Sequence, residues 1–423
     1  MDKPLTHMIR SDRKALSLAE YEQKGGYKGL KKALKMTPEE VTEIVKESGL
    51  KGRGGAGFDT GMKWEFVPMG EDAPKIKYLI ANADEMEPGT FKDRLLLEGN
   101  PHALIEGMII AAYAIQAEYS YIFLRWAYKS SEKCLQLAMQ EAYEAGYLGN
   151  NILKSGFNIS MTLHSSVGRY MCGEETGLLN ALEGKRAIPR DKPPFPQASG
   201  LFGKPTIVNN VETLCNVPPI IEHGAEWYQQ LSSTDEGGTK LYGVSGHVNR
   251  PGLWELPLGT TLGELIDEHA GGMKSGYKFK GALPGGASTD FLVKDHWDVN
   301  LDYSSVMDEG SRLGTGTVII LDDQTCPVRF VHNLERFFAQ ESCGWCTPCR
   351  EGLPWVERIL QSIEEGNGQE SDIDLLHHHT KGLAPGNTFC ALAPGAMEPL
   401  QSALKYFEKD FKDHITNKKC PYA

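Results

Sequence analysis

The chain of 423 residues contains no long hydrophobic run and no long basic run. Its most apolar stretch, residues 108–117, is too short to cross a bilayer, and residues 1–10 lack an apolar segment of signal-peptide length. The net charge of −12 argues against nucleic-acid binding, because a phosphate backbone is bound by clustered Lys and Arg. The sequence therefore predicts a cytoplasmic protein that does not bind nucleic acid.

The length exceeds what one simple hydrophobic core accommodates, so two or three domains are expected. Nine cysteines in a chain without a secretory signal are typical of reduced thiols and metal ligands rather than of disulfides. Five of them lie outside the cysteine motif described next, and we expect ordinary small or buried thiols at these positions. These five are Cys134, Cys172, Cys215, Cys326 and Cys420.

The other four cysteines form the most informative motif in the chain. Cys343, Cys346 and Cys349 follow one another at two-residue spacings on one short loop, and Cys390 comes alone. Three thiols at this spacing can bind three corners of one iron–sulfur cube, and a distant fourth completes the set. The alternative is a structural zinc site, since Cys-x-x-Cys pairs also bind zinc. Zinc sites usually combine two separated pairs, so the pattern favours a 4Fe–4S cluster and electron transfer.

Helical and strand patterns alternate through the first half of the chain. Residues 37–40 form a capping box at the start of a helix that ends at Gly49. Strands separated by helices indicate parallel crossovers, with helices on both faces of one sheet. The predicted strands are residues 78–81, 119–124 and 159–163, and the predicted helices between them are residues 101–117 and 130–145.

The pattern changes after residue 238, beyond a Pro- and Gly-rich surface stretch at residues 188–205. Strand patterns then surround one helix, which indicates a small α+β module. From residue 329 onward the apolar period is helical, so the cysteine loop joins two helices. The module's predicted strands are residues 240–244, 253–256 and 317–321, and its helix is residues 261–269. The predicted domains are residues 1–238, 239–325 and 326–423, and His377, His378 and His379 are expected on a solvated helix surface.

A glycine-rich segment, residues 52–58, is the first candidate ligand site. Four glycines in it free the backbone to approach a phosphate with successive N–H groups, although a plain tight turn explains such a segment equally well. It matches neither the dinucleotide nor the Walker fingerprint. Lys63 follows and can neutralise a phosphate, and the polar residues 82–89 follow a predicted strand, where open α/β sheets bind ligands.

Two further polar segments follow predicted strands. Residues 168–175 combine glycines with the adjacent acids Glu174 and Glu175, which would equally favour a helix N-terminus. Asn209 and Asn210 offer paired amides that can bind a ring edge, although such pairs also make ordinary turns.

Together these segments resemble the family of NADH-binding, flavin-carrying subunits of respiratory complex I, which comprises the F subunit of the bacterial NADH:quinone oxidoreductase and its mitochondrial equivalent. The resemblance covers nearly the whole chain and rests on six ordered motifs. The motifs are residues 52–58, 82–94, 172–176, 192–196, 208–213 and 341–350. It implies an α/β fold with a Rossmann-like FMN domain, a ubiquitin-like (SLBB-type) module and a C-terminal helical bundle that holds a 4Fe–4S cluster.

The resemblance also implies roles for individual residues. FMN would bind at Gly54, Gly55, Gly57, Lys63, Asn82, Asp84, Tyr170, Gly173, Asn209, Asn210 and Thr213, with Gly52, Arg53, Ala56, Glu85 and Val208 in the same cofactor-binding set. NADH would stack on the flavin with its adenine among Phe58, Phe66 and Phe195, and Glu87, Glu174, Glu175 and Lys192 would hold its ribose or diphosphate. Core packing is the alternative for each aromatic ring, most of all for Phe66. The cluster would be held by Cys343, Cys346, Cys349 and Cys390.

The implied reaction is hydride transfer from NADH to FMN, followed by one-electron transfer to the cluster and through partner subunits to quinone. No protein group is expected as a proton-transfer catalyst, because the cofactors supply the chemistry; Glu85, Glu87 and Glu174 are the nearest candidates. The implied partners are other subunits of the peripheral arm of complex I, namely the thioredoxin-like 2Fe–2S subunit and the large multi-cluster subunit. The chain would lie on the inner face of the bacterial plasma membrane.

Two other functions are weighed against this one. A diaphorase subunit of an NAD-linked hydrogenase or formate dehydrogenase shares the motifs, but such chains often carry an additional cluster domain, and here only Cys420 follows Cys390. A zinc-stabilised scaffold without redox cofactors is the second alternative.

The sequence departs from the family pattern at two places. Trp126 and Ala127 replace a glycine and a carboxylate after the second predicted strand, and Ser166 and Val167 precede Gly168 where the family has Gly-Ala-Gly. A close backbone approach to the flavin at Ser166 is therefore not expected.

Overall fold

The computed structural model describes residues 2–423, which divide into two compact units. The first comprises the residues up to Met86, Phe91–Leu241 and Glu255–Gly259. The second comprises Glu87–Thr90, Tyr242–Trp254 and Thr260–Ala423. The predicted boundaries at residues 238 and 325 stay predictions.

The first unit is built on a parallel four-stranded sheet with the strand order β3-β2-β1-β4. The strands are β1 (Tyr78–Ala83), β2 (Tyr119–Leu124), β3 (Ser160–Ser165) and β4 (Thr206–Asn210). The helices are α1 (Leu18–Gln23), α2 (Lys28–Ala33), α3 (Pro38–Glu47), α4 (Thr60–Glu65), α5 (Lys92–Gly99), α6 (Pro101–Ile115), α7 (Lys129–Glu144), α8 (Glu175–Leu182), α9 (Pro196–Ser199), α10 (Val211–His223) and α11 (Ala225–Gln229). Short 3₁₀ turns lie at Ile152–Lys154, Tyr170–Gly173 and Leu201–Gly203.

The sequence predicts strands β1, β2 and β3 and helices α3, α6 and α7 of this unit. The capping box before α3 is confirmed, since the Thr37 side chain accepts the Glu40 N–H at 3.2 Å and Glu40 accepts the Thr37 N–H at 2.7 Å. One face of the sheet packs Ile80, Phe123 and Val208 against α8 and Cys172, which confirms an ordinary buried thiol at Cys172.

Strand β4 was not predicted. Its few apolar residues are preceded by Pro205 and end in Asn209 and Asn210, a pattern typical of a turn. Burial decides the outcome instead, because Thr206 to Asn209 are all buried beside β1.

A second sheet has the strand order β6-β5-β8-β7, with β5 parallel to β8 and β7 antiparallel to it. Its strands are β5 (Thr239–Ser245), β6 (Gly252–Pro257), β7 (Phe279–Leu283) and β8 (Thr317–Asp322). The helices here are α12 (Leu262–Glu264), which continues into a π-helical turn at Leu265–His269, and α13 (Tyr303–Asp308), with a 3₁₀ turn at Lys294–His296. Strand β7 was also missed, because Gly281 weakens its strand pattern; a side chain there would lie 3.0 Å from the Phe407 ring.

The rest of the second unit is helical, as predicted. Its helices are α14 (Pro327–Glu341), α15 (Thr347–Glu364), α16 (Glu370–Gly382), α17 (Leu392–Tyr406) and α18 (Glu408–Asn417). The cysteine loop joins α14 to α15. His377 and His378 are exposed on α16 as expected, but the expectation is wrong for His379, which is buried because its ring packs 4.7 Å from the Trp355 ring. Within residues 2–423, no helix has the length and apolar character needed to cross a membrane.

Candidate functional site

The candidate site lies at the carboxyl edge of the first sheet. Strands β1, β2 and β3 are laid down in one direction, and β4 is then added on the other side of β1. Open α/β sheets bind ligands at such a reversal, in the crevice beyond the carboxyl ends of the two strands that flank it. Asn82, at the end of β1, is paired in register with Asn210, at the end of β4. Both predicted flavin ligands therefore lie at the reversal.

The glycine segment, residues 52–58, lies at the same place although it precedes the sheet in sequence. The Arg53 N–H donates to the Thr213 hydroxyl at 2.8 Å, and a side chain on Gly54 would lie 3.0 Å from the Asn210 Cβ. Gly55 and Gly57 have φ values of 128° and 68°, which L-residues rarely adopt. The segment is thus a tight backbone loop fastened to the first turn of α10, next to the end of β4.

The Arg53 side chain has a structural role in this loop. It is completely buried, and its guanidinium donates to the Tyr228 hydroxyl at 3.2 Å and to the Gly237 carbonyl at 3.0 Å. The side chain anchors the loop from inside the domain, and the Gly52 N–H closes the loop by donating to the Phe58 carbonyl at 2.8 Å.

The side chains that follow β1 form a polar rim. The Asn82 amide donates to the Gly173 carbonyl at 3.1 Å, and Asp84 accepts the Ser166 hydroxyl at 3.0 Å. A side chain on Gly173 would meet no atom within 4 Å, so open space lies above it. Tyr170 lies in the same 3₁₀ turn as Gly173.

Glu85 is the most perturbed acid of the rim. It accepts the Asp93 N–H at 2.9 Å and the Tyr128 hydroxyl at 3.0 Å. Burial and the neighbouring Asp93 carboxylate raise the pKa of Glu85 to about 7. No proton-transfer role was predicted for Glu85, and these hydrogen bonds hold its carboxyl group within the rim.

A buried charge network, which the sequence reasoning missed, lies behind the rim. Lys92 contacts Asp93 at 2.7 Å and Glu212 at 2.8 Å, and Lys240 contacts Glu212 at 3.2 Å. Although burial opposes its charge, Lys240 and Lys92 lower the pKa of Glu212 to about 2. Burial lowers the pKa of Lys240 to about 7. The sequence signal was that Lys92 and Asp93 belong to the motif at residues 82–94 and Glu212 to the motif at residues 208–213.

This network fixes the amides at the end of β4. Asn210 donates to Asp93 at 2.6 Å and accepts the Glu212 N–H at 3.0 Å as the N-cap of α10. The Asn209 oxygen accepts the Trp64 indole N–H at 2.9 Å, which orients its amide. Thr213 is fully buried, and the Val208 carbonyl accepts a hydrogen bond from the Lys63 ammonium group.

Three charged residues of the predicted NADH set, together with Lys63 of the predicted FMN set, form one ion-pair chain. Lys63 contacts Glu175 at 2.8 Å and also donates to the Val208 carbonyl at 2.8 Å. Lys192 contacts Glu175 at 2.8 Å and Glu174 at 3.5 Å. Burial alone would raise the pKa of Glu175, but Lys63 and Lys192 lower it.

Glu174 also has the structural role that the sequence left open. Its carboxylate caps α8 by accepting the N–H groups of Thr176 and Gly177, each at 2.8 Å. The same oxygen accepts both bonds, and the other one faces Lys192.

Three predicted adenine contacts are exposed rings. Phe58, Phe66 and Phe195 are 50%, 57% and 55% exposed, and the first two rings are 6.4 Å apart. Core packing, the alternative for each ring, is therefore wrong. Large exposed aromatic rings near a polar edge are suited to stacking with a planar ligand.

Glu87 belongs to the second unit. There its carboxylate accepts the N–H and the hydroxyl of Ser288 at 2.7 and 2.8 Å. Its predicted role toward NADH stays a prediction.

The two segments that depart from the family pattern lie against each other. Gly168 has a φ of 72°, and a side chain there would lie 2.3 Å from the Trp126 ring. Ser166 is buried, donates to Asp84 and accepts the Gly168 N–H at 3.1 Å. Both departures thus form one packed corner at the rim.

The edge fits the FMN that the resemblance implies. It provides a backbone loop at the reversal, oriented amides at the ends of β1 and β4, and open space above Gly173. These are the groups that bind a phosphate and the polar edge of a planar ring.

The four predicted cluster cysteines come together in the second unit. Cys343 and Cys346 lie on the loop between α14 and α15, Cys349 in the first turn of α15, and Cys390 before α17. Burial, and then the thiols of Cys346, Cys390 and Cys343, raise the pKa of Cys349 to about 12. The Trp345 and Phe389 rings, which neighbour two of the cysteines, are 6.5 Å apart. Four converging thiols fit a Cys₄ cluster, whose iron would offset their mutual repulsion.

Three family models match the chain. The Nuo51 FMN-binding domain matches residues 45–219, the SLBB domain residues 241–291, and the NADH-ubiquinone oxidoreductase-F iron–sulfur binding region residues 329–414. These matches confirm the three-part fold class and the expectation of FMN and a 4Fe–4S cluster.

Curated relatives match over almost the full length. The F subunits of the NADH-quinone oxidoreductases of Salmonella typhimurium and Escherichia coli are each 55% identical over 97% of this chain and 93% of the relative. A solved NAD⁺-reducing [NiFe]-hydrogenase in the H₂-reduced state is 32% identical, with a TM-score of 0.83, over 97% of this chain and 68% of the hydrogenase chain.

The non-redox zinc scaffold is thereby excluded as the description of the whole chain. The loop, the amide rim and the four converging cysteines occur within one near-complete match, and the chain belongs to the family of NADH-quinone oxidoreductase F subunits.

Proposed function

We propose that this chain is the NADH-oxidising subunit of a complex I, in which FMN takes up a hydride from NADH and passes single electrons to a 4Fe–4S cluster. The observation that carries the proposal is the site at the reversal of the first sheet, in a chain 55% identical to the Escherichia coli F subunit over 97% of its length. FMN supplies the conversion between two-electron and one-electron transfer. The protein residues bind and orient the cofactors.

The flavin site is assigned to the loop and rim described above. Backbone N–H groups of residues 54–58 would hold the phosphate, helped by Lys63. Asn82 and Asn209 would bind the ring edge, because Gly173 and Trp64 already fix the orientation of their amides. The buried network of Lys92, Asp93 and Glu212 holds Asn210 in place at the end of β4.

The nucleotide site is assigned to the exposed rings Phe58, Phe66 and Phe195 and to the chain of Glu174, Glu175 and Lys192. The rings supply stacking area at little entropic cost. A carboxylate that accepts a ribose 2′-hydroxyl repels a 2′-phosphate, so Glu174 and Glu175 favour NADH over NADPH.

The cluster is assigned to Cys343, Cys346, Cys349 and Cys390. Electrons leaving it require acceptors outside this set. As partners we infer the thioredoxin-like 2Fe–2S subunit and the large multi-cluster subunit of the peripheral arm, and as location the cytoplasmic face of the bacterial plasma membrane. Both inferences rest on membership of the complex I family.

The hydrogenase diaphorase is the second candidate, because an NAD⁺-reducing [NiFe]-hydrogenase shares the fold with a TM-score of 0.83. The lower identity of 32%, against 55% for the Salmonella typhimurium F subunit, favours complex I. The hydrogenase chain also extends well beyond the match, since this chain covers 68% of it.

Substitution of a single cluster cysteine tests the assignment. In Cys346→Ser protein that remains assembled in the complex, NADH should still bleach the FMN absorbance at the normal rate, whereas quinone reduction should fall close to zero. Stopped-flow absorbance and low-temperature EPR measure the two halves, and Cys134→Ser serves as a thiol control in the first unit. Normal quinone reduction with an unaltered EPR signal would show that Cys346 is not a cluster ligand.

A further inference from the structure

A second group of metal-binding side chains lies in the helical region, apart from the cysteine loop. The sulfurs of Cys326 and Cys420, the His414 imidazole and the Glu364 carboxylate present ligand atoms that all lie within 4.8 Å of one another. The Cys326 Sγ is 3.3 Å from His414 Nε2 and 3.5 Å from Glu364 Oε2, and these two atoms are 3.4 Å apart. We propose that these four residues bind one structural zinc ion.

The spacing suits a single ion. Tetrahedral zinc with bonds of about 2.0–2.3 Å holds its ligand atoms about 3.3–3.8 Å apart. The three separations above lie in or close to this range. A 4Fe–4S cluster would hold its thiolates farther apart, because four irons lie between them.

His414 is prepared as a ligand by its second nitrogen. Its Nδ1–H donates to the Asp410 carbonyl at 2.6 Å, which leaves the Nε2 lone pair directed at Cys326 and Glu364. Metal-bound histidines are commonly fixed in this way through the other ring nitrogen. His414 is fully buried, so this tautomer is protected from water.

Cys326 and Glu364 are likewise held by neighbouring groups, and each still presents one atom that can bind a metal ion. Cys326 is the N-cap of α14, and its sulfur accepts the Arg329 N–H at 3.3 Å. Arg329 also binds Glu364 Oε1 at 3.1 Å, which leaves Oε2 facing the sulfur and the imidazole. Although burial raises the pKa of the Cys326 thiol, a metal ion binds the thiolate and so displaces the proton.

Cys420 is brought in by the C-terminal segment. The Tyr422 hydroxyl donates to the Asp410 carboxylate, and Lys280 contacts both Asp410 at 2.9 Å and Tyr422 at 2.6 Å. Asp410 is the residue whose carbonyl holds His414. The same anchor thus positions two of the four ligands.

The donor set selects the metal. Two thiolates, one imidazole and one carboxylate are the ligands that zinc takes in tetrahedral sites, and hard cations such as Mg²⁺ and Ca²⁺ avoid thiolates. Four protein ligands leave no open position for substrate, which is the arrangement of a structural site. A Cys326–Cys420 disulfide is the competing product, but it gives Glu364 and His414 no reason to converge on the same point.

The site lies at the far end of the helix pair that flanks the cysteine loop. Cys326 precedes the first residue of α14 and Glu364 is the last residue of α15, whereas the loop joins their other ends. A helix of 15 residues is about 22 Å long. The zinc ion would therefore fasten α14, α15, α18 and the C-terminal segment without touching the cluster ligands.

Metal analysis of the full chain, purified with reductant in its complex, tests the proposal. Zinc and iron are counted by mass spectrometry in wild type, Cys326→Ser, Cys420→Ser, the thiol control Cys134→Ser and the double variant His377→Ala/His378→Ala, which removes exposed histidines. We expect about one zinc per chain in wild type and both controls, and at least about tenfold less in the two site variants, with iron unchanged. Zinc K-edge X-ray absorption should show two sulfur neighbours.

Three results would overturn the proposal. One is zinc that persists in Cys420→Ser. Another is wild-type protein without zinc after dialysis against zinc chloride. The third is an intact mass, measured after alkylation, that shows a Cys326–Cys420 disulfide in place of bound zinc. Cys420 lies near the C-terminus on a partly exposed segment, so its replacement tests binding without disrupting the buried core.

Discussion

Glu335 lies on the buried face of α14. We expect this residue to destabilise the helical region, so its replacement by Leu should stabilise the protein. Its side chain is completely buried, and within residues 2–423 neither carboxyl oxygen has a hydrogen-bond partner. Burial raises the pKa of Glu335 well above its usual value of 4.5. The acid is therefore protonated in the folded protein at pH values where the unfolded chain has released the proton.

The expected gain has a constant part and a pH-dependent part. A buried polar group left without a partner costs about 1–3 kcal/mol, which Leu removes. Because the folded-state pKa is raised, the contribution of Glu335 to stability is greatest below pH 4.5 and is lost as the pH rises toward the folded pKa. One proton changes the free energy of unfolding by up to about 1.4 kcal/mol per pH unit. The advantage of Glu335→Leu should therefore grow with pH.

Thermal unfolding at one scan rate, followed at several pH values between 5 and 8, measures this effect. Glu335→Gln separates charge from polarity, since it should lose the pH dependence but keep an unpartnered polar group. Asp374→Leu, at an exposed position of α16, controls for added hydrophobicity. A melting temperature of Glu335→Leu equal to or below wild type at pH 8, or a difference that shrinks as the pH rises, would refute the reasoning.

Three further changes test the nucleotide and flavin sites. Gly168→Ala should lose FMN, because the new methyl group collides with Trp126 and the φ of 72° disfavours alanine. Adding Trp126→Ala to this variant should restore part of the FMN content. A Gly168→Ala protein with full FMN content would contradict this packing. Glu174→Asn should keep a cap on α8 while narrowing the preference for NADH over NADPH by about 1–3 kcal/mol in kcat/KM, and an unchanged ratio would remove Glu174 from the nucleotide site. Phe195→Ala should lower kcat/KM for NADH by about 2- to 12-fold with little change in melting temperature, since the ring is 55% exposed. A clearly lower melting temperature with unchanged kinetics would show that the ring serves packing.

The strands and helices that the sequence predicted are those with strong periodic patterns. Strand β2 and helix α6 each have enough apolar residues to be identified locally, and the Thr37 capping box fixed the start of α3. Strand β4 has no such pattern and depends on β1 for its pairing, so only the folded sheet defines it. Missing β4 also concealed the reversal at which the site lies.

Local motifs identify candidate binding residues, but they do not give the direction of each side chain. Arg53 stands in the middle of the glycine segment, yet its charge is directed into the core toward Tyr228 and Gly237. Glu174 combines a cap for α8 with a position beside Lys192. Side-chain direction depends on contacts that are distant in sequence, and no spacing within a motif encodes it.

The cysteines show the same limit most clearly, because one residue type gives two different signals. Cys343, Cys346 and Cys349 repeat at a spacing that one loop can use, so their joint role is visible without any structure. Cys326 and Cys420 lie on either side of the whole helical region and become neighbours only after α14, α15 and α18 pack together. Their partners are His414 and Glu364, and residues of these two types are common on helix surfaces. Since binding of zinc by such a set requires the packed bundle, the ion would stabilise the folded state alone, and its removal should lower the melting temperature of wild type but not of Cys420→Ser. If a zinc chelator lowers the melting temperature of both proteins equally, the metal is not bound by these four residues.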